Sequence, residues 1–343
     1  MNSNKITVLG AGSWGTALSL LLHEKGHKVN LWMKDEDQFQ NICSTRENPK
    51  YLPGIAIPNN LKLFTDIEEA VTGSELIVLT IPSQAIRGVI QNTKKFLSSN
   101  QVIINAAKGL EQNSLMRISE VVKEELPQNP FAALSGPSHA EEVCKNMPTT
   151  LAVASEKRDI AELVQDVFIT KSFRVYTNPD LIGVELGGAL KNVIAFGAGI
   201  SDGLGFGDNA KAALMTRGIR EIARLGSQMG ANLATFAGLT GIGDLIVTCT
   251  SMHSRNRRAG ILIGEGNTIE ETLKKIGMVV EGVSTTKAAY KLSIKHGIEM
   301  PITKEIYKVI YEGSNAREAV TNLMSRDRTH EMEEIVEDAN LNW

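Results

Sequence analysis

The sequence has few of the features that mark secreted or nucleic-acid-binding proteins. It contains 3 cysteines among 343 residues, far apart and without zinc-ligand spacing, and this usage predicts a reducing compartment without disulfides. Aromatic residues make up only 5%, and the net charge of -3 excludes an overall field that recruits nucleic acid or an anionic membrane. An anionic ligand must therefore be held by a local cluster of positive groups.

Long hydrophobic runs are also scarce. The N-terminal MNSNKITVLG enters a predicted strand almost at once, which leaves no room for a signal peptide. The most apolar stretch, 181–200, includes Glu185, Lys191 and five glycines, a composition that favours a closely packed buried helix over a membrane span. We therefore expect a cytoplasmic protein that does not insert stably into a membrane.

The first half of the chain alternates short apolar runs with stretches of helical period. Continuous apolar runs are typical of parallel strands buried on both faces, and the alternation predicts an α/β fold with a Rossmann-type doubly wound sheet. From about Asp180 the strand pattern fades and helical patterns follow one another, one of them with a capping box at Thr268 and Glu271. We predict a dinucleotide-binding domain over 1–180, an all-helical substrate and catalytic domain over 181–331 and a polar acidic tail over 332–343. The predicted strands are 5–10, 28–33, 75–81, 101–107 and 131–136.

The stretch GAGSWG follows the first predicted strand and precedes a helix, the context that a dinucleotide fingerprint requires. In that context Gly10 permits the tight turn, Gly12 lets the backbone approach a pyrophosphate, and Gly15 allows close packing of the helix on the strand. The free N–H groups of the first helical turn then face the anion. The alternative is a glycine-rich turn without a ligand.

The end of the second predicted strand bears on which cofactor binds. An acidic side chain at this place accepts hydrogen bonds from the adenosine ribose of NAD, whereas here Met33 and Lys34 occupy it and Asp35 comes slightly later. Lys34 is suited to the 2′-phosphate of NADPH, which tilts the prediction toward that cofactor. An exposed lysine without a partner is the alternative reading.

Two polar features fall at the ends of later strands, where ligands of open α/β sheets bind. Lys108 ends one strand, and a turn of Gly136, Pro137 and Ser138 ends the next. Ser138 and Glu141 have the spacing of a capping box, so a helix is expected to begin there with its N–H groups available. Plain helix capping is the alternative role of Ser138.

Lys191 is unusual because its neighbours along the predicted helix are small and apolar. Burial of an ammonium group there is costly unless the group has a partner or a function. Desolvation lowers the pKa of a lysine, which suits the side chain to proton transfer near neutral pH. A structural ion pair with Glu185 is the alternative.

The segment 238–260 supplies further charged groups. Asp244 lies in a glycine-rich turn, and SRNRR gathers Arg255, Arg257 and Arg258 with Ser254 and Asn256. A guanidinium group binds phosphate bidentately, so the cluster predicts a phosphate site. A solvated surface cluster is the alternative, and nucleic-acid binding is not expected because no aromatic residues interleave with the cluster.

These residues lie within motifs that carry a family resemblance. The chain resembles bacterial NAD(P)-dependent glycerol-3-phosphate dehydrogenase from ITVLGAGSWGTAL to about Glu331. The matching stretches are GAGSWGTAL, NAAKGLE, LSGPSHAEEV, ELGGALKNVIA, NAKAALMTRG, GIGDLIVTCTS, SRNRRAG and VVEGVSTT.

The resemblance implies two sets of site residues. The substrate set is Lys108, Gly136, Ser138, Lys191, Asp244, Ser254, Arg255 and Asn256, with Lys191 as the catalytic proton donor or acceptor. The dinucleotide set is Ser13, Trp14, Lys34, Tyr51, Lys108, Ala140, Arg255, Val279 and Glu281. Ala140, Val279 and Glu281 rest on the resemblance alone, and no metal is implied.

The implied reaction is the reversible reduction of dihydroxyacetone phosphate to sn-glycerol 3-phosphate by NAD(P)H. The product would supply phospholipid synthesis, and helices of the second domain would suit a homodimer. Two alternatives stay open at this point: a two-domain dehydrogenase for another small hydroxy substrate, and a non-catalytic NAD(P)-sensing module.

Overall fold

The computed structural model describes residues 3–328, 330 and 331, so the predicted acidic tail over 332–343 lies outside the described residues. The first half of the chain forms ten strands, eight of which make one sheet. The strands are β1 Lys5–Leu9, β2 Lys28–Trp32, β3 Glu47–Asn48, β4 Leu52–Ala56, β5 Lys62–Phe64, β6 Leu76–Leu79, β7 Val102–Asn105, β8 Phe131–Ser135, β9 Thr149–Ala154 and β10 Phe173–Asn178.

The large sheet has the order β10-β9-β8-β7-β6-β1-β2-β5, and its neighbours are parallel except for β8 and β9, which are antiparallel. From β1 the chain proceeds to β2 on one side and later to β6 on the other, so the topological switch point lies between β1 and β6. In open α/β sheets a ligand binds beyond the carboxyl ends of the strands at this point. The predicted Rossmann-type fold is thereby confirmed.

All five predicted strands are present, each one to three residues shorter than predicted. The sequence analysis did not find β5, β9, β10 or the small antiparallel hairpin of β3 and β4. At the sheet edge, β10 alternates buried Val175 with exposed Arg174 and Tyr176, so it lacks the continuous apolar run of a central strand.

Seven helices accompany the strands, and apolar clusters fill both faces of the sheet. The stretch SLMRISEVVKEEL at 114–126 has a helical period, but its helix begins only at Ile118, because Leu115 adopts a positive φ of 65° that no helix continues through. The helices are α1 Ser13–Glu24, α2 Glu36–Thr45, α3 Ile67–Val71, α4 Ile86–Thr93, α5 Ile118–Glu125, α6 Ala140–Val143 and α7 Arg158–Phe168.

The second half is helical, as predicted, and has its own apolar core. In the helix over 269–276, Thr268 and Glu271 form the predicted capping box. The helices are α8 Leu181–Gly203, α9 Asp208–Gln228, α10 Leu233–Phe236, α11 Asp244–Thr250, α12 Arg255–Gly264, α13 Ile269–Ile276, α14 Glu281–His296, α15 Pro301–Tyr311 and α16 Ala316–Met324.

Helix α8 runs through the centre of this helical part and is buried along most of its length. Its backbone touches that of α12: a Cβ added to Gly199 would lie 2.0 Å from the Arg257 carbonyl oxygen, and one added to Gly260 would lie 2.0 Å from the Phe196 carbonyl oxygen. Only glycine allows this approach. The helix begins three residues after β10 ends, and Asp180 caps it by accepting from Gly183 N at 2.9 Å. The predicted domain limits at 180 and 331 stay a prediction.

Two stretches of the described chain are long and apolar enough to cross a membrane, Leu181–Gly203 and Leu233–Thr250. In the first, 89% of the most apolar window is buried inside the protein, against 44% in the second. Helix α8 therefore has the burial expected of a core helix.

Candidate active site

A cleft of about 450 Å³ lies at the carboxyl ends of the central strands, between the sheet and the helical half. Residues predicted for the dinucleotide and for the substrate line this one cleft, whereas Gly15 and Gly136 are not among its lining residues. The predicted residues that line it are Gly10, Gly12, Ser13, Trp14, Lys34, Tyr51, Lys108, Ser138, Ala140, Lys191, Asp244, Ser254, Arg255, Asn256, Val279 and Glu281.

The glycine-rich turn between β1 and α1 forms one end of the cleft. Gly10 has a φ of +117°, a conformation that side chains rarely adopt, and a Cβ on Gly15 would lie 1.8 Å from the Gly10 carbonyl oxygen. A Cβ on Gly12 would meet nothing within 4 Å, since this position opens into the cleft. The turn therefore leaves room for a phosphate group to approach the backbone at the start of α1.

The end of β2 lies beside this turn. Asp35 is the N-cap of α2 and accepts a hydrogen bond from Gln38 N at 3.1 Å, so its carboxylate already has a structural partner. Lys34 is exposed at the rim, and no ion pair joins it to another residue in the described part of the chain. Within the glycine-rich turn, Ser13 Oγ donates to the Tyr51 carbonyl oxygen at 2.5 Å.

At the other end of the cleft, Asp244 joins two lysines. Lys191 Nζ lies 2.5 Å from Asp244 Oδ1, and Lys108 Nζ lies 2.8 Å from Asp244 Oδ2. Lys191 also donates to Thr248 Oγ1 at 2.6 Å. Lys191 comes from α8, Asp244 from the start of α11 and Lys108 from the loop after β7, so three separate elements position this group.

The electrostatics of this group favour proton transfer. Burial lowers the pKa of Lys191, the negative charge of Asp244 raises it and the charge of Lys108 lowers it, and the net result is a pKa of about 8. Burial by itself raises the pKa of Asp244, but the two ammonium groups outweigh burial and bring its pKa below the ordinary value. Asp244 is therefore an anion, and the pKa of Lys191 lies closer to neutral pH than that of an ordinary lysine.

The predicted alternative, an ion pair of Lys191 with Glu185, is wrong. Glu185, six residues earlier on α8, accepts from Arg117 Nη1 at 2.7 Å and from Ser119 N at 2.8 Å. These contacts hold α5 against α8 and leave Asp244 as the carboxylate that meets Lys191. The sequence contained both carboxylates, but only the fold determines which one approaches the lysine.

The predicted capping box of Ser138 and Glu141 is also wrong. Helix α6 begins at Ala140, has only four residues, and has His139 rather than Ser138 at its N-cap. Gly136, at a φ of +140°, turns its carbonyl oxygen toward both Ser138 Oγ, at 2.9 Å, and Lys108 Nζ, at 2.7 Å. The turn therefore keeps the Ser138 hydroxyl beside Lys108 instead of over a helix terminus.

The arginines of SRNRR separate in the fold. Arg255 lines the cleft and donates to the Val279 carbonyl oxygen at 3.2 Å, whereas Arg257 pairs with Asp202 at 2.8 Å on α8. Arg258 does not line the cleft. Of the three predicted phosphate-binding arginines, the structure brings Arg255 to the site.

Two asparagines link the Lys191–Asp244–Lys108 group to the rim of the cleft. Asn256 Nδ2 donates to Asn192 Oδ1 at 2.9 Å, and Asn192 Nδ2 donates to the Lys108 carbonyl oxygen at 3.2 Å. Asn256 Oδ1 accepts from Gly282 N at 2.8 Å, next to Glu281 at the start of α14. This chain of hydrogen bonds fixes α12 and α14 relative to the Lys108 loop.

Sequence reasoning missed several lining residues, among them Thr80 and Pro82 after β6, His139, Asn192, Thr248 and His253. The signal for the first two was available, since Thr80 lies at the carboxyl end of the predicted strand 75–81 and Pro82 directly follows it. The others reach the cleft from helices and turns, and no local sequence pattern predicts how those elements pack. Among the described residues, no group of three or more His, Cys, Asp or Glu side chains could hold a metal ion.

Comparisons with known proteins agree over nearly the whole chain. The family model described as NAD-dependent glycerol-3-phosphate dehydrogenase N-terminus matches residues 5–161, and that described as its C-terminus matches 180–321. A protein of Thermoanaerobacter sp. named glycerol-3-phosphate dehydrogenase [NAD(P)+] is 58% identical over 331 residues, which cover 96% of this chain and 100% of that protein. A Clostridium perfringens protein of the same name is 55% identical and covers 96% of this chain and 99% of its own length.

Solved structures show the same similarity. The crystal structure of glycerol-3-phosphate dehydrogenase from Coxiella burnetii has a TM-score of 0.92 and 41% identity, covering 94% of this chain and 99% of that one. A D-mandelate dehydrogenase solved with NADH has a TM-score of 0.62 at 13% identity, covering 92% and 99% of the two chains. At that identity the likeness shows a shared fold only.

Proposed function

The chain belongs to the NAD-dependent glycerol-3-phosphate dehydrogenase family, and we propose that its cleft reduces dihydroxyacetone phosphate to sn-glycerol 3-phosphate with Lys191 as the proton donor. The resemblance read from the sequence is confirmed by relatives that are 54–58% identical over almost the entire chain. The enzyme is an NAD(P)-dependent oxidoreductase, and its substrate is a small phosphorylated molecule. The buried Lys191–Asp244–Lys108 group is the observation that carries the proposal.

The residues of the cleft fit a dinucleotide. The open face at Gly12 and the start of α1 suit a pyrophosphate, and Ser13, Trp14 and Tyr51 surround that position. Bound in its reduced form, the nicotinamide supplies a hydride for the carbonyl carbon of the substrate. Glu281 and Val279 would hold the cofactor from the helical side, and Ala140, which packs beside Ala17 of α1, lines the cleft near Trp14.

Lys191 stabilises the negative charge that builds on the carbonyl oxygen and then gives that oxygen its proton. The carbonyl carbon gains the hydride, the oxygen gains the proton, and Lys191 is left as a free amine that takes a proton back from solvent. In the reverse direction the same amine removes the proton from the alcohol. The contact of 2.5 Å with Asp244 supports a positioning role for that carboxylate.

The substrate phosphate is assigned to the positive groups that face the cleft. Arg255, with Ser254 and Asn256 beside it, would bind the phosphate oxygens, and Lys108 with Ser138 and the turn at Gly136 would hold the hydroxyl end. Burial lowers the pKa of Arg255, and a guanidinium group still carries its charge at neutral pH. This charge balances an anionic substrate in a protein of negative net charge.

NADPH is the proposed preferred cofactor, supported by Lys34 at the end of β2 and by the use of Asp35 as a helix cap. A cytoplasmic location without membrane insertion, a supply of glycerol phosphate for phospholipid synthesis and a homodimer stay predictions. The two alternatives, a dehydrogenase for another hydroxy substrate and a non-catalytic sensor, lack support from the relatives. A sensor also has no use for a buried proton donor at the end of the cleft.

The proposal is tested by the near-ultraviolet absorbance of the reduced cofactor in the presence of dihydroxyacetone phosphate, with NADPH and NADH at matched concentrations. Oxidation of either cofactor supports the reaction, and the ratio of the two kcat/KM values tests the preference for NADPH. A keto acid without phosphate, whose carbonyl carbon can also accept a hydride, serves as the control substrate. Binding of both cofactors without oxidation, or faster turnover of the control, would overturn the proposal.

A further inference from the structure

A polar segment after β6 touches both the helical half and the Lys108 loop, and none of the residues predicted for the site belongs to it. Ser83 opens a short 3-10 turn, Ser83–Ala85, and is buried to 1% exposure. Its backbone N–H donates to Glu281 Oε1 at 2.9 Å, and its hydroxyl donates to Glu281 Oε2 at 2.6 Å. One serine therefore satisfies both oxygens of a carboxylate that lies 198 residues away in the chain.

The neighbouring Gln84 determines the direction of these hydrogen bonds. Its Oε1 accepts from Gln112 N at 2.9 Å, while its Nε2 donates to the Leu110 carbonyl oxygen at 2.7 Å and to Ser83 Oγ at 3.0 Å. A backbone N–H meets only an acceptor and a backbone carbonyl meets only a donor, so the amide has one allowed orientation. Because Ser83 Oγ accepts from this amide, its own hydrogen is left for Glu281.

The backbone packs tightly around this chain of hydrogen bonds. A Cβ added to Gly109 would lie 2.5 Å from Ser83 Oγ and 2.8 Å from Glu281 Oε2. Only a glycine next to Lys108 lets the lysine loop approach the serine and the carboxylate so closely. The Lys108 loop, the turn after β6 and the start of α14 are thus held at one point.

We propose that Ser83 is a positioning residue, which with Gln84 holds the Glu281 carboxylate in the orientation that binds the dinucleotide and fixes it relative to the Lys108 loop. The inference rests on the proposed function, under which Glu281 faces the cofactor. A carboxylate whose two oxygens each accept from Ser83 is held in one orientation, and Glu281 lines the cleft in that orientation. Cofactor hydroxyl or amide groups then meet acceptors that need no reorientation on binding.

The test is Ser83→Ala, with Ser74→Ala as the matched control. Ser74 lies just before β6, where Ser83 lies just after it, and its buried hydroxyl is bonded to Thr7 Oγ1 at 2.7 Å, away from the cleft. Ser83→Ala is expected to raise the NADPH Kd about tenfold, as for loss of a hydrogen bond to a charged group, while kcat at saturating cofactor falls less than about threefold. Ser74→Ala is expected to lower the melting temperature without changing the Kd.

A double-mutant cycle with Glu281→Gln separates positioning from general damage. If Ser83 acts through Glu281, Ser83→Ala adds less than about twofold to the Kd of the Glu281→Gln variant. An equal further increase in that background, or an unchanged Kd in Ser83→Ala alone, would overturn the inference. Should Ser83→Ala not fold, Gln84→Met keeps the volume but removes the amide, and it is expected to raise the Kd about threefold.

The two proposals fail in different ways. Calorimetric or fluorescence titration of NADPH measures the role of Ser83 whether or not the protein turns over its substrate. Turnover by the unmodified enzyme tests the reaction itself. Failure of dihydroxyacetone phosphate as a substrate would leave the Ser83 result standing, and an unaffected Kd in Ser83→Ala would leave the reaction standing.

Discussion

The end of the cleft proposed for the dinucleotide (the dinucleotide end) presents backbone, whereas the end proposed for catalysis (the catalytic end) presents charged side chains. At the first end, Gly10, Gly12 and Gly15 shape a turn of six residues, and the exposed groups are N–H donors at the start of α1. At the second, Lys108, Lys191 and Asp244 come from three elements and are 53 to 136 residues apart in the chain. One site is local in sequence, and the other exists only when the chain has folded.

The difference has an energetic reason. Peptide N–H groups at a helix start are left without helical partners in any case, so a turn that exposes them buries no additional charge. A buried lysine loses its hydration, and Asp244 offsets this cost by lying between Lys191 and Lys108. The catalytic end is therefore expected to be sensitive to the removal of any one of its charges. The dinucleotide end is expected to be sensitive to side-chain atoms added at its glycines.

The largest expected effect is that of Lys191→Ala at the catalytic end. Without the ammonium group nothing delivers a proton to the carbonyl oxygen, and kcat is expected to fall by about a hundredfold or more while NADPH binding is retained. The measurement is steady-state oxidation of the reduced cofactor together with a binding titration. Lys123→Ala, on an exposed position of α5, is the control, and unchanged turnover in Lys191→Ala would remove this residue from its role.

The next largest effect is expected from Asp244→Asn, which keeps the shape of the side chain but removes its charge. Asp244 raises the pKa of Lys191, so the variant moves that pKa below its value of about 8. The reduction reaction needs the ammonium form, which exists below the pKa. Wild-type reduction should therefore decline as the pH rises through about 8, and the variant should decline from a lower pH, with kcat about tenfold lower at neutral pH.

The measurement is the pH profile of kcat in both directions, since oxidation needs the free amine and should rise with pH over the same range. Asp202→Asn is the matched control, because Asp202 pairs with Arg257 and Lys211 away from the cleft. Superimposable profiles for the wild type and Asp244→Asn would contradict the assignment of this titration to Lys191.

At the dinucleotide end, two glycine substitutions are expected to have different effects, one on the stability of the protein and the other on cofactor binding. A Cβ on Gly15 collides with the Gly10 carbonyl oxygen, so Gly15→Ala should cost about 1–3 kcal/mol of stability. A Cβ on Gly12 meets no protein atom within 4 Å, so Gly12→Ala should keep the melting temperature while raising the NADPH Kd about tenfold, as for one lost charge-assisted hydrogen bond. Thermal denaturation and cofactor titration distinguish the two, and a stable Gly15→Ala that binds normally would disprove this account of the turn.

The smallest effect is expected from Lys34→Ala at the exposed rim. An exposed ion pair contributes about 1 kcal/mol at most, so kcat/KM for NADPH should fall about fivefold while that for NADH stays the same. Added salt should reduce the difference, because exposed charges are screened. Lys28→Ala, at the exposed start of β2, is the control, and an equal loss with both cofactors would contradict a contact between Lys34 and the 2′-phosphate.

Much of the fold could be predicted because its elements have recognisable local sequence patterns. The five central strands are apolar runs, and helix α8 is an apolar stretch with glycines on the side that meets α12. The edge strand β10 could not be found in this way, since its exposed face carries Arg174 and Tyr176. The hairpin of β3 and β4 is too short to have a period of its own.

In the candidate site too, some features could be predicted from local sequence and others could not. Lys191 could be singled out because a lysine among small apolar residues is expensive to bury. Its partner could not, because Glu185 and Asp244 are equally plausible on the sequence and only the packing of α11 against α8 separates them. Ser138 was misread for a related reason: its capping spacing is local, but the turn at Gly136 redirects its hydroxyl.

The sequence by itself determined the doubly wound sheet, the glycine turn and the identity of the buried lysine, because each depends on residues that are neighbours along the chain. The tertiary structure decided which carboxylate meets Lys191, which arginine of SRNRR faces the cleft, and the contact of Ser83 with Glu281. Side-chain pairs across 50 to 200 residues depend on how helices pack against the sheet. That packing depends on the shapes of whole helix and sheet faces, and no short sequence pattern predicts it.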